Sequence, residues 1–297
     1  MPFKILVTGC SGYIGATFTY EALKLGHKVL GIDNFSNSSK EVIEKLKLGN
    51  EELFLFEEIE LHQNSTKLNI LLERFNPDFV VHFAALKSVN DSTKLPAVYW
   101  RNNLLSTLNL VDAMIKSGCR KLIFSSSAVI YGNSKIQPVK EDFAFTFNTP
   151  YANTKIAIEK YLQDISLSGC LDVVSLRYFN PVGSHSSYLI YEDPRGAPNN
   201  LMPRIIRVAL GLDQEISIYG NDYKTRDGTG ERDYIHVDDL IKGHILSIEY
   251  LHHKEGFTPI NLGTGNKHSV LELIHAFEKV NNISVNYRYD DRRDGDI

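Results

Sequence analysis

Short apolar runs alternate with longer amphipathic stretches through roughly the first 180 residues of the chain. The runs read KILVTG, KVLGID, ELFLFEEI, FVVHFA, KLIFSSS and DVVSLRYF, rich in the β-branched and aromatic residues that favour strands. Ile5 to Val7 and Phe79 to Val81 are continuously apolar, as expected of parallel strands covered on both faces by helices. The pattern predicts an α/β protein built on a doubly wound parallel sheet, with its ligand cleft at the C-terminal strand ends. After Tyr178 the character changes. Asn180 to Asn200 is rich in Gly, Pro, Ser and Asn and predicts a loop ahead of a helix starting near Leu201. Asp233 to Val237 and Pro259 to Gly263 predict strands, with a helical pattern between them from Asp238 to about Leu251. Residues 1–180 are therefore expected to form the sheet domain, with 233–263 returning to it. Residues 181–232 and 264–297 are expected to form a smaller, substrate-binding lobe.

Composition narrows the function classes. With 297 residues, 43% hydrophobic and 23% charged, the chain is an ordinary globular sequence long enough for a large domain and a second lobe. A net charge of −4 gives no electrostatic reason to expect nucleic acid as the partner. Cys10, Cys119 and Cys170 are odd in number and form no CxxC pair, so neither a disulfide framework nor a zinc site is expected. No stretch approaches the roughly 18 apolar residues of a membrane span, and a cytoplasmic location is expected. The ten histidines include no HExxH or other metal spacing, so no metal is expected.

Thr8-Gly9-Cys10-Ser11-Gly12-Tyr13-Ile14-Gly15 follows the first run and opens an amphipathic stretch. Glycines there permit a tight turn, close approach of backbone to a pyrophosphate, and tight packing of helix on sheet; exposed N–H groups and the helix dipole attract the phosphates. A glycine-rich turn with no ligand is the plainer alternative. The second run ends at Asp33, eighteen residues after Gly15, close to the distance of about 20 at which an acidic residue meets the adenosine ribose hydroxyls. A carboxylate there favours NAD over NADP, and the following Asn34-Phe35-Ser36-Asn37-Ser38 offers no Arg for a 2′-phosphate.

Tyr151-Ala152-Asn153-Thr154-Lys155 follows Thr149-Pro150, a capping residue and a first-turn proline. A helix is expected there, with Tyr151 and Lys155 on one face. A phenol of ordinary pKa about 10 is a poor base at neutral pH; a nearby ammonium and a positive nicotinamide favour its phenolate. Alone, such a pair is often merely solvated. Phe124-Ser125-Ser126-Ser127 closes the fifth run, where a hydroxyl can reach a substrate oxygen over the cleft.

The order of glycine loop, Ser, Tyr and Lys resembles the extended short-chain dehydrogenase/reductases, whose Rossmann domain binds NAD and whose catalytic serine corresponds to Ser127. Within them, His82-Phe83-Ala84-Ala85-Leu86-Lys87, Leu176-Arg177-Tyr178-Phe179-Asn180-Pro181, Asn199-Asn200-Leu201-Met202-Pro203 and Arg232-Asp233-Tyr234-Ile235-His236-Val237 resemble the UDP-galactose 4-epimerases. Ala128-Val129 stands where sugar-nucleotide dehydratases carry an Asp-Glu pair. The resemblance implies interconversion of UDP-galactose and UDP-glucose through a 4-keto intermediate, with Tyr151, Lys155 and Ser127 catalytic and NAD retained throughout. It implies cofactor contacts at Gly9, Gly12, Tyr13, Ile14, Gly15, Asp33, Asn34, Asn37, Ser38, Glu58, Ile59, Phe83, Ala84, Ala85, Lys87, Asn102, Tyr151, Lys155 and Tyr178. UDP-sugar contacts are implied at Ser127, Tyr151, Asn180, Asn200, Leu201, Tyr219 (against uracil), Arg232, Arg293 and Asp296 (at the ribose). Many members pair into homodimers, the expectation here.

Glu58 stands where the family usually has Asp, Ala152 where Gly is common and Cys10 where Gly is frequent. The chain stops at Ile297, whereas family members continue for several dozen residues, so part of the second lobe is expected to be absent, with the segment that decides acceptance of N-acetylated sugars. Another sugar-nucleotide epimerase or dehydrogenase, and a non-catalytic NAD-binding scaffold, are the alternatives.

Overall fold

The computed structural model describes residues 2–132, 134, 136–146, 149–196 and 198–292. The chain runs β1 (Lys4–Thr8), α1 (Tyr13–Lys24), β2 (Lys28–Asp33), α2 (Lys40–Lys47), β3 (Phe54–Glu58), α3 (Ser65–Phe75), β4 (Phe79–His82), α4 (Val89–Lys94), α5 (Pro96–Ser117), β5 (Lys121–Ser127), α6 (Pro150–Leu167) and β6 (Asp172–Tyr178). There follow β7 (Asn180–Val182), α7 (Leu201–Ala209), β8 (Ile216–Tyr219), β9 (Glu231–His236), α8 (Val237–His253), β10 (Phe257–Leu262), β11 (Lys267–Ser269), α9 (Val270–Asn281) and β12 (Tyr287–Asp290).

A seven-stranded parallel sheet has the order β10-β6-β5-β4-β1-β2-β3. The apolar runs fill it. Along β1, Ile5 and Val7 enter the core beneath α1 and α8, while Leu6 enters the opposite core beneath α3, α5 and α6. Strand alternation thus feeds both layers, and each fully buried side chain of this size contributes about 1.5–3 kcal/mol. The strand order reverses between β1 and β4, which opens a crevice at their C-terminal ends. The glycine loop leaves β1 and residues 83–87 leave β4 into that crevice. No helix among the described residues is long and apolar enough to cross a membrane.

The return of the chain differs in part from the sequence expectation. β10 takes the sheet edge beside β6, from Phe257 against Val173 to Leu262 against Tyr178. With that edge occupied, the segment around Asp233 does not enter the large sheet: β9 pairs in parallel with β7 and antiparallel with β11. β8 and β12 form a separate parallel pair, and Ile205, Ile216, Ile218, Leu271 and Ile274 build a core of their own.

Beneath the sheet's C-terminal end lies a buried ion pair. Glu159 of α6 and Arg177 of β6 are both 2% exposed and join through Nη2 to Oε2 at 2.7 Å, with Nε reaching Oε1 at 3.1 Å. Ser126 Oγ (2.5 Å) and Ser175 Oγ (2.9 Å) also donate to Glu159 Oε1. Arg177 Nη1 donates to Tyr131 Oη at 2.7 Å and to the Glu141 carbonyl at 2.8 Å. Removing one partner of such a pair strands a buried charge. Glu159→Gln is expected to cost about 3–5 kcal/mol of unfolding free energy, measurable by urea denaturation; a cost below about 1 kcal/mol means that water reaches Arg177.

Candidate active site

The glycine loop has two glycines that the fold itself requires. Gly9 has φ +71°, and a Cβ there would lie 2.8 Å from the Ala84 nitrogen. A Cβ on Gly15 would collide with the Gly9 carbonyl. Gly12 is different, since a Cβ there would touch only the Gly9 oxygen, at 3.4 Å. Gly12 is also the N-cap of α1 and gives it no side-chain cap. The protein does not need glycine at this position, whereas a phosphate resting on the open helix end would. Ile14 packs on the core beneath, and Tyr13 donates to the Gly183 carbonyl at 2.6 Å.

Asp33 closes β2 with both carboxylate oxygens engaged. Ser11 N–H reaches Oδ2 at 3.0 Å, while Phe35 N–H (2.9 Å) and Ser38 Oγ (3.3 Å) reach Oδ1. The carboxylate therefore ties the glycine loop to the loop after β2. Asn34 Nδ2 donates to Glu60 Oε2 at 2.8 Å. At the end of β3, Ile59 N–H donates to the Asp33 carbonyl at 3.0 Å, and Glu58 points to Lys40 at 3.2 Å on the surface.

The loop after β4, carrying Phe83, Ala84, Ala85 and Lys87, is held by a buried polar chain that sequence reasoning missed. Thr107 Oγ1 donates to the Asn103 carbonyl at 3.0 Å, so it accepts from His82 Nε2 at 3.0 Å. His82 Nδ1 is then the acceptor for Thr8 Oγ1 at 2.7 Å. Asn103 clamps Leu86 through its N–H (2.9 Å) and carbonyl (3.1 Å), and donates to Thr154 Oγ1 at 3.2 Å. Burial drives His82 down to about 3, so the ring is neutral. Asn102, the neighbour singled out from sequence, instead faces His62 at 3.4 Å.

On α6, Thr149 caps the Ala152 N–H at 3.3 Å and Pro150 occupies the first turn, as the sequence predicts. Tyr151 and Lys155 share a buried face with Glu159 one turn further on. The Ser127 hydroxyl lies close enough to Tyr151 to favour its phenolate, and Lys155 Nζ donates to the Ser125 carbonyl at 2.7 Å. The three candidate catalytic side chains thus meet where β5 ends. Burial pushes Tyr151 up to about 12 against the opposing hydrogen bond from Ser127. It brings Lys155 down to about 7 against the pull of Glu159. Burial thus opposes the charged form of both groups, the phenolate and the ammonium alike.

Tyr178 closes β6 beside them, its hydroxyl 2.5 Å from His244 Nε2. His244 Nδ1 lies 2.9 Å from the Leu240 carbonyl, which fixes the proton on Nδ1 and makes Nε2 the acceptor. Burial brings this histidine to about 4.

Of the residues read as gripping the substrate, Asn180, Tyr219 and Arg232 sit on the small sheets and Asn200 and Leu201 at the start of α7. Asn180 Nδ2 donates to the Asp233 carbonyl at 2.8 Å, Arg232 Nη1 to the Glu231 carbonyl at 2.8 Å, and Tyr219 lies beneath the Arg204 guanidinium at 5.8 Å. Asn200 caps α7 ahead of Leu201 and donates to Glu192 Oε1 at 2.5 Å. Lys87 Nζ meets the same oxygen at 2.9 Å. Arg293 and Asp296 lie outside the described residues.

The family profile described as the NAD dependent epimerase/dehydratase family matches residues 5–263. A Bacillus subtilis (strain 168) protein named UDP-glucose 4-epimerase is 45% identical over 99% of this chain and 86% of its own length. A Dictyostelium discoideum protein of the same name is 44% identical over the same shares. Among solved structures, a Stenotrophomonas maltophila UDP-glucose-4-epimerase with bound NAD and formylated UDP-arabinopyranose superposes with TM-score 0.95 at 43% identity, covering 99% of this chain and 88% of that one. The Bifidobacterium longum enzyme in complex with NAD+ and UDP gives 0.94 at 42% identity, with the same coverage.

Two of the buried histidines, His82 and His244, set an acid limit. Their folded-state values lie below the ordinary 6.5, so between pH 6.5 and about 4 the unfolded chain takes up protons that the folded protein refuses. Stability is full above pH 6.5 and falls as pH drops through that window, by about 1.4 kcal/mol per pH unit for each ring. Thermal melts of His82→Gln across the window are expected to show a shallower acid loss than the parent; parallel curves would show that His82 protonates freely in the fold.

Proposed function

We propose that this chain, which belongs to the NAD dependent epimerase/dehydratase family, is an NAD-dependent UDP-glucose 4-epimerase that interconverts UDP-galactose and UDP-glucose. The observation that carries the reading is the meeting of Ser127, Tyr151 and Lys155 beside a glycine loop whose helix end is left uncapped. The names and bound ligands of relatives at 42–45% identity support it.

In this reading Gly9, Gly12 and Gly15 with Tyr13 and Ile14 cradle the pyrophosphate of NAD. Asp33, Asn34, Asn37, Ser38, Glu58 and Ile59 take the adenosine end, and Phe83, Ala84, Ala85, Lys87, Asn102 and Tyr178 the remainder. NAD, when bound, supplies the acceptor and donor of the hydride at sugar C4. Ser127 hydrogen-bonds the 4-oxygen, and Tyr151 takes the hydroxyl proton as the 4-keto sugar forms. Tyr151 returns that proton after the sugar has turned over, inverting C4. Asn180, Asn200, Leu201, Tyr219 and Arg232 hold UDP, so the nucleotide stays fixed while the sugar turns. Ala128 and Val129 pack against Ile130 and Tyr131 and place no acid beside Ser127, which disfavours dehydration.

The wider reading places the protein in galactose metabolism. A cytoplasmic setting is supported by the free thiols of Cys10, Cys119 and Cys170. A homodimer is supported by Val98 and Leu105, two turns apart and exposed on α5; light scattering tests it.

Purified protein given UDP-galactose without added cofactor is expected to form UDP-glucose. Accumulation of NADH with an oxidised sugar would indicate a dehydrogenase instead, and absence of any turnover a scaffold. Tyr151→Phe keeps the ring and removes the proton acceptor, so turnover is expected to fall by about 10²- to 10⁴-fold with UDP binding retained; normal turnover overturns the assignment. Asp33→Asn keeps the acceptor for Ser11 and removes the charge, so relative tolerance of NADP should rise in competition binding. An unchanged NAD/NADP ratio removes Asp33 from the ribose site.

A further inference from the structure

The stretch between β7 and α7, rich in turn-forming residues, does not wander away from the cleft. It starts at Gly183, whose φ of +91° and whose closeness to His236, 2.5 Å from an ideal Cβ, admit only glycine. From there it is tied to the first domain at successive points. Tyr13 Oη donates to the Gly183 carbonyl at 2.6 Å, and His185 Nε2 meets Glu21 Oε1 at 3.0 Å. Lys45 Nζ donates to the Leu189 carbonyl at 3.2 Å, and Arg195 N–H to Asn37 Oδ1 at 3.2 Å. Glu192 completes the series. Its side chain is 10% exposed, and one oxygen, Oε1, accepts from both Lys87 Nζ and Asn200 Nδ2. Three of these anchors, Tyr13, Asn37 and Lys87, are residues assigned above to NAD. They belong to the start of α1 and to the loops after β2 and β4, all around the crevice, and the segment bonds to each.

We infer that residues 183–196 are a strap across the cofactor cleft and that Glu192 is its clasp, a positioning residue that slows the release of NAD. The inference rests on the reading that the cleft holds NAD. An epimerase returns its hydride to the sugar, so its cofactor has no need to leave, whereas the UDP-sugar must exchange at every turnover. A strap anchored on the cofactor side meets that asymmetry. Lys87 is half exposed, and its ion pair alone holds little; Glu192 acts because it is mostly buried and joins Lys87 to the N-cap of α7 through one atom. Charge alone predicts the opposite sign, since a carboxylate beside a pyrophosphate repels it and its removal would slow release.

The test follows exchange of bound NAD. Holoenzyme is mixed with excess radiolabelled NAD, and the entry of label is timed for the parent, Glu192→Ala and Glu192→Gln. Glu192→Ala is expected to exchange roughly five- to tenfold faster, a tenfold change corresponding to about 1.4 kcal/mol. Glu192→Gln, which keeps an acceptor oxygen for Asn200, should fall between it and the parent, with thermal midpoint and saturated kcat of both variants near the parent's. Lys45→Ala, loosening an outer anchor, should accelerate exchange to a smaller degree. Equal or slower exchange in Glu192→Ala and Glu192→Gln overturns the clasp while leaving the cofactor assignment intact. A parent protein that takes up no labelled NAD overturns the cofactor assignment itself.

Discussion

The carboxylate of Glu159 sets the register of the helix face that carries Tyr151 and Lys155. It sits on α6 one turn beyond Lys155 and two beyond Tyr151, and it draws Ser126 of β5 and Ser175 and Arg177 of β6 onto one helix position. The other two members of the stripe meet β5 on either side of that contact: Lys155 at the Ser125 carbonyl, Tyr151 at the Ser127 hydroxyl. Helix and strand are thus laced through three consecutive serines. A slip of α6 by one residue would break all of these contacts together, at a cost that includes an unpaired buried charge. The ion pair's value therefore lies in fixing one alignment, since a pair of this burial is weak evidence for stability as such.

The same logic extends outward from α6. Thr154 accepts from Asn103 and donates to the Tyr151 carbonyl at 2.7 Å, and Asn103 in turn holds Leu86, the residue before Lys87. Tyr151 N–H meets Ser92 Oγ on α4 at 3.2 Å. Tyr151 and the loop that follows β4 are consequently parts of one polar network, whose buried members gain strength from the low local dielectric.

What the sequence made legible was local. The glycine spacing, Asp33 at the end of β2, and Thr149-Pro150 ahead of Tyr151 and Lys155 each lie within one or two turns of the element they define. Alternation and apolar runs carried the large sheet. Glu159 could have been found by extending the stripe of Tyr151 and Lys155 by one more turn, but its partner Arg177 reads only as one member of the Leu176 to Pro181 block, since nothing in the linear pattern announces a pairing across β6. Glu192 and Lys87 are further apart still, separated by 105 residues, and Glu192 stands in a stretch whose composition reads as loop. His82 and His244 look like unremarkable histidines until burial on both sides is known. The segment around Asp233 has strand chemistry in either sheet, and only the occupation of the β6 edge by β10 decides between them.

Electrostatics give the cofactor's positive charge a role beyond orientation. Burial holds Tyr151 up, to about 12, and Lys155 down, to about 7, so each group favours its neutral form more than it would in water. A phenol held in its neutral form is a poor proton acceptor. Both shifts have the same origin, burial, and both are relieved by the same change: a fixed positive charge nearby stabilises the phenolate, and the phenolate then holds the lysine proton. In the proposed reading the positive nicotinamide supplies that charge, so it favours the base form of Tyr151 as well as accepting the hydride.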